Sequence, residues 1–86
     1  MGKYDISEKY FNKALALTNA IGKKDGEATI YEGLAVLYQH LGNNCKTEEY
    51  HNKALVIRKE SGDRKGEATS YGNLGSMYAE IGRAHV

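Results

Sequence analysis

Three histidines, one cysteine and seven tyrosines carry most of the reactive or recognition potential of this 86-residue chain. His40, His51 and His85 fall at spacings that match neither a metal-ligand set nor a nucleophile–base–acid arrangement. Packing or surface roles are expected of them, and His51 is assigned to helix packing because its repeat column elsewhere holds Phe11. Cys45, near a helix start, is placed where a thiol pKa can fall, but no histidine or resolving cysteine adjoins it to support redox work. Gly72 and Gly75 imitate a glycine-rich phosphate loop. No strand precedes them and the required glycine and lysine spacing is missing, so close helix packing is the expected reason for both. Tyr31, Tyr38, Tyr71 and Tyr78 could stack on bases, yet their spacing coincides with an apolar helical stripe and assigns them to packing, with the hydroxyls reaching polar partners at the edge. Lys23-Lys24 and Arg64-Lys65 sit beside Asp25, Asp63 and Glu67 and read as solvated turns. These residues predict no catalytic site, metal or cofactor, and hence no enzyme.

Composition narrows the classes further. Apolar residues make up 41% and charged residues 27% of the chain, a globular balance that argues against disorder. A net charge of +1 gives no overall field to attract nucleic acid or an anionic membrane. A single cysteine excludes an internal disulfide, and no secretory leader or bilayer-spanning apolar run is present, so a cytoplasmic location is expected.

The elements that position these residues repeat. Residues 44–83 laid under 4–43 give fifteen identities in forty columns, among them Tyr10/Tyr50, Ala14/Ala54, Gly26/Gly66, Tyr31/Tyr71, Leu34/Leu74 and Tyr38/Tyr78. A period of that size marks a solenoid or propeller. Within each unit, Ala28, Tyr31, Leu34, Ala35, Tyr38 and Leu41 step by three and four, as do Ala68, Tyr71, Leu74, Gly75, Tyr78 and Ile81. The other segment carries Tyr10, Phe11, Ala14, Leu15 and Thr18, with Tyr50, His51, Ala54, Leu55 and Arg58 as its copy. Both periods are helical. Glycines at 2, 22, 42, 62 and 82 are placed to close each helix, while Asp63 and either Asn43 or Asn44 are placed to cap the next. Short connections and the absence of proline predict antiparallel neighbours.

Tyr71-Gly72-Asn73-Leu74-Gly75-Ser76-Met77-Tyr78 followed by Gly82 resembles the first helix of a tetratricopeptide repeat, and Tyr31, Leu34, Ala35, Tyr38 and Gly42 repeat the pattern. Ser7, Phe11 and Ala14 fit its second helix; Thr47, His51 and Ala54 fit less closely. Gly-Asp-Arg-Lys-Gly-Glu-Ala at 62–68 is similar to the forty-residue variety found in the G-protein-signalling-modulator family and in large multi-repeat proteins. The resemblance implies an all-α solenoid of antiparallel helix hairpins, a fragment of about four helices in a right-handed superhelix. Unit 1 spans 4–43, second helix before first, and unit 2 spans 44–83. Residues 80–86 look like translated sequencing adapter, a non-native end to which Arg83–Val86 contribute no function.

The same resemblance implies a protein–protein interaction module, a scaffold or adaptor that takes partner peptides or helices on the concave face formed by the first helices. That face is expected to carry Thr29, Glu32, Val36, Gln39, His40, Thr69, Asn73, Ser76 and Ala79. A chaperone-tail clamp is disfavoured. Only Asn73 fits its pattern, Glu32 and Val36 stand where Lys and Asn are required, and Glu32 would repel a terminal carboxylate. The alternative reading is the sensory arm of a nucleotide-driven signalling protein; an RNA-binding repeat would need a basic groove that the sequence lacks. Two repeats bury too little alone, so weak stability, docking on adjacent units or self-association through uncapped ends is expected.

Overall fold

The computed structural model describes residues 2–84, with side chains described from 3 to 82. Within that span the chain is four helices: α1 (Gly2–Ile21), α2 (Lys24–His40), α3 (Asn44–Glu60) and α4 (Arg64–Ala84). No described residue is in a strand, and no helix among them is long and apolar enough to cross a membrane. The fold is all-α, a chain of helix hairpins.

Each of the three turns is built the same way. Gly22, Gly42 and Gly62 take left-handed φ values of 73°, 78° and 72°, where a side chain would be strained. The residue after each glycine donates its N–H back to the last helical turn: Lys23 to Thr18 O (3.0 Å), Asn43 to Tyr38 O (2.9 Å) and Asp63 to Arg58 O (3.0 Å). That six-to-one bond closes the carbonyl end of one helix, and the donor residue then starts the next. Asn43 Oδ1 accepts from Lys46 N at 3.1 Å and Asp63 Oδ1 from Gly66 N at 2.9 Å, side-chain caps as the sequence predicts. Lys23, in the same position, has no acceptor and leaves α2 without a side-chain cap.

Gly2 and Gly82 do not follow this rule. Gly2 lies at the start of α1, and Gly82 lies inside α4, which runs on through Arg83 and Ala84. Of the expected non-native end, residues 80–84 are thus helical, and His85 and Val86 lie outside the described residues.

Packing follows chain order. α2 lies against α1 and α3, α3 against α2 and α4, and α1 and α4 each have one neighbour. The result is a shallow layer, 44 × 34 × 15 Å between Cα extremes. Its core is small: Ala28, Leu34, Ala35 and Leu37 of α2, Ala54 of α3 and Met77 of α4. Four of these six belong to α2, which like α3 has two neighbours and carries the stronger apolar stripe of the two. Tyr71 and Tyr78, expected in the core, are about half exposed, because among the described residues α4 packs against α3 alone. Gly72 and Gly75 likewise have nothing within 4 Å of an added Cβ, so close packing does not account for them here.

Candidate functional site

Two side-chain bridges bring α2 and α4 to the same side of the molecule without close backbone approach. Gln39 Nε2 donates to Glu80 Oε2 at 2.8 Å, and Ser70 Oγ donates to Glu32 Oε2 at 3.3 Å. Helical periodicity then sets the candidate residues along both helices. Thr29, Val36, His40, Thr69, Ser76 and Ala79 are exposed, while Glu32, Gln39 and Asn73 are partly covered. Thr29 and Thr69 turn their hydroxyls back onto Asp25 O and Lys65 O, which leaves their methyl groups as the outward chemistry. His40 stacks on Tyr4 of α1, ring centroids 6.5 Å apart. A shallow depression of about 200 Å³ opens at one end, lined by Gln39, Asn44, Met77, Glu80 and Ile81.

Glu32 differs from its neighbours in the candidate set. Its carboxylate accepts from Arg58 Nη2 of α3 at 3.0 Å as well as from Ser70 of α4, so one side chain ties three helices together. Arg58 Nη1 bonds Asp63 Oδ2 at 3.0 Å in turn, which ties the same network to the α3–α4 turn. Burial works against the guanidinium charge, but the bonds it donates to Asp63 and Glu32 outweigh it and hold Arg58 above its ordinary pKa. Asp63 is held below its ordinary value, first by the Gly66 N–H and then by Arg58. The aliphatic part of Arg58 lies so close to Gly66 that a Cβ there would collide with Arg58 Cδ and Asp63 Oδ2. Close approach, not a turn, fixes glycine at 66. With Arg58 paired to it, Glu32 no longer presents the bare negative charge expected to repel a peptide terminus.

This junction was not evident from side-chain chemistry alone, since Arg58 stood within an apolar stripe. The network uses Arg58, Asp63 and Ser70, whose counterparts are Thr18, Lys23 and Ile30, so it does not recur in the first unit.

Where the repeat holds, so do its contacts. Tyr38 donates to the Glu8 carboxylate across α1–α2, and Tyr78 donates to Glu48 across α3–α4. The carboxylate acceptor, then burial, pushes the Tyr38 phenol up to about 12, and the Tyr78 phenol shifts in the same direction for the same first cause. These hydroxyls do reach polar partners at the helix edges. His51 is 2% exposed, and burial lowers its pKa against the weaker opposing pull of the Glu32 charge. Cys45 is an exposed free thiol on the first turn of α3. No group of His, Cys, Asp and Glu among the described residues could hold a metal ion.

A second surface lies on α1, where Ile6, Ser7, Tyr10, Phe11 and Ala14 line an open, mostly apolar depression of about 390 Å³. Of these, Tyr10, Phe11 and Ala14 belong to the helical stripe read from the sequence, and Ser7 to the second-helix pattern. The signal for exposure was positional: in the second unit their columns are Lys46, Thr47, Tyr50, His51 and Ala54, which α3 turns towards its neighbouring helices.

No individual curated protein matches the chain. A family model described as tetratricopeptide repeat matches residues 26–85, well over half the sequence and the stretch that contains α3, α4 and all of α2 but its first two residues. Helix hairpins, a left-handed glycine at every turn and tyrosine, leucine and small-residue columns in register are the physical content of that match, and this chain belongs to the tetratricopeptide repeat family, whose units act generally as protein–protein interaction modules.

Proposed function

We propose that the chain is part of a scaffold or adaptor that binds a peptide or helix of another protein along the side shared by α2 and α4. The observation that supports this reading most directly is that Thr29, Val36 and His40 of α2 and Thr69, Ser76 and Ala79 of α4 are all exposed, on two helices tied by the Gln39–Glu80 bond. Small and amide-bearing groups of this kind suit a backbone-rich ligand: methyl and alanine surfaces accept apolar anchors, and Gln39 and Asn73 can bond peptide groups. Glu32 serves as a support in this reading, because its carboxylate is already engaged by Arg58 and Ser70. Its contribution to binding is to hold α2 and α4 at fixed separation.

Selection of binders from a random peptide library, followed by titration of the winners against variants, tests the proposal. Val36→Glu and Ala79→Glu each place an unpaired charge on the proposed surface without touching the core, and should weaken the selected peptides by roughly tenfold or more. Leu17→Glu, on the exposed side of α1, serves as the control and should leave them unchanged. Equal binding by all three variants would remove this surface from consideration.

A further inference from the structure

The three turns share a left-handed glycine but differ in the residue before it. Ile21 and Leu41 precede Gly22 and Gly42, whereas Ser61 precedes Gly62. Ser61 is the C-cap of α3; it is exposed, and its hydroxyl donates to Arg58 O at 3.2 Å. Basic residues surround it. Arg58 stands three positions before it and Lys59 two before, with Arg64 and Lys65 three and four after. No other serine or threonine of the chain has a basic residue three positions before it. A hydroxyl with an arginine at that spacing suits the basophilic class of protein serine kinases, whose acidic substrate cleft pairs with the guanidinium.

Arg58 is also the side chain that ties α3 to α2 and to the α3–α4 turn, through Glu32 Oε1 and Asp63 Oδ2, both at 3.0 Å. In the packed state it is only 13% exposed. A kinase therefore reads it once the end of α3 has opened, which breaks the bonds from Asp63 N and Ser61 Oγ to Arg58 O. Local opening of this kind costs less than global unfolding. A phosphate added there opposes reclosure. It stands at the carbonyl end of α3, where the helix dipole repels negative charge, between Glu60 and the Asp63 carboxylate that has to return to Arg58.

We propose that Ser61 is a phosphorylation site for a basophilic serine kinase, and that its phosphate opens the α3–α4 turn and releases Arg58 from Asp63 and Glu32. Ser61 Oγ attacks the γ-phosphorus of ATP. The new O–P bond forms as the bond to the β,γ-bridging oxygen breaks, ADP leaves, and the hydroxyl proton passes to the catalytic base of the kinase. The other two turns lack the hydroxyl, so the switch belongs to this turn alone. It acts on the junction itself, whatever ligand the surface of α2 and α4 takes.

The full chain, incubated with ATP, magnesium and a kinase that selects arginine three residues before serine, should gain one phosphoryl group by intact mass, placed on Ser61 by fragmentation. Ser61→Ala should gain none. Glu32→Gln weakens the hold on Arg58 and should raise the rate of incorporation roughly fivefold, because modification follows the open population. Asp63→Asn, which drops the charge and keeps a cap acceptor, is the second release variant should Glu32→Gln lose helicity by circular dichroism. Hydrogen exchange reads the opening. In the phosphorylated chain the amides of Asp63, Gly66 and Glu67 should exchange roughly tenfold faster or more, while Asn43 and Thr47 at the Gly42 turn should be unchanged. Ser61→Ala loses the hydroxyl bond without gaining charge and should exchange like the parent. No phosphate on Ser61, or a phosphate that leaves exchange at 63–67 at the parent level, overturns the proposal. So does an equal rise at Asn43 and Thr47, which would mean general unfolding, or equal incorporation by the parent and the release variant, which would mean that Arg58 is not held back by its ion pairs.

Discussion

Leu34 and Leu74 occupy one column of the repeat, yet Leu34 is 1% exposed while Leu74 is only partly covered. Ala28 and Ala68 differ more, the first fully buried and the second exposed. On the second helix of the unit the contrast reverses in chain order: Ala54 is fully buried and Ala14 is not. In each pair the buried member is on α2 or α3, the helices with two neighbours. Identical side chains at identical helical phase therefore differ in energy according to whether a further helix lies over them, which is how a stacked repeat derives its stability.

The largest test of that contrast is truncation of the two leucines. Leu34→Ala removes a buried side chain from the most enclosed part of the molecule and should cost roughly 2–5 kcal/mol, enough to abolish the folding transition of so small a chain. Leu74→Ala should cost under about 1.5 kcal/mol, because less of its surface leaves water on folding. Urea titration followed by helical circular dichroism reads both. Equal losses would mean that the outer helices are as enclosed as the inner ones.

Glycines in the helices sharpen the comparison with a change of sign. A Cβ at Gly33 would lie 2.5 Å from Phe11 Cε1, so Gly33→Ala should destabilise by roughly 1–2 kcal/mol as α1 is pushed off α2. Gly75 has free space around it, and Gly75→Ala should stabilise by up to about 1 kcal/mol through helix propensity alone. Shifts of opposite direction in the thermal midpoint are the expected result.

The smallest effect concerns acid. Phe11 faces Gly33, while the corresponding columns hold His51 and Asn73. His51 is buried with Nδ1 unpartnered, and its folded pKa lies below the ordinary value of 6.5. The unfolded chain therefore takes up the proton more readily. Stability from this site is complete above pH 6.5 and falls as pH drops below it. His51→Phe combined with Asn73→Gly transfers the first unit's pair into the second. Stability of this variant should decline less than that of the parent between about pH 6.5 and 5, by under about 1 kcal/mol. An unchanged acid slope would assign the decline to carboxylates instead.

Much of the fold could be read directly. The three-and-four spacing gave the helices, and Gly22, Gly42 and Gly62 gave the turns, because a left-handed residue after the last helical turn is a local requirement. Burial of His51 was legible from the Phe11 column. Gly82 and the tyrosines of α4 were not, since helix termination and burial there depend on a neighbouring helix, which spacing along one helix does not specify. Within the candidate surface, the sequence grouped Glu32 with its exposed neighbours; its bonds to Arg58 and Ser70 arise from residues far away in sequence, which spacing along one helix cannot reveal.

The sequence by itself determined what is local: helix phase, the glycine turns with their Asn43 and Asp63 caps, and the forty-residue register that makes one unit a copy of the next. Tertiary structure alone decided which copy of each column is dry, that Arg58 joins three helices through Glu32 and Asp63, and that Tyr10, Tyr71 and Tyr78 are exposed while Tyr31, Tyr38 and Tyr50 stack. Hydrogen bonds of a turn or helix span a few residues and are encoded there, whereas burial and ion pairing belong to the space between helices and exist only once those helices have met.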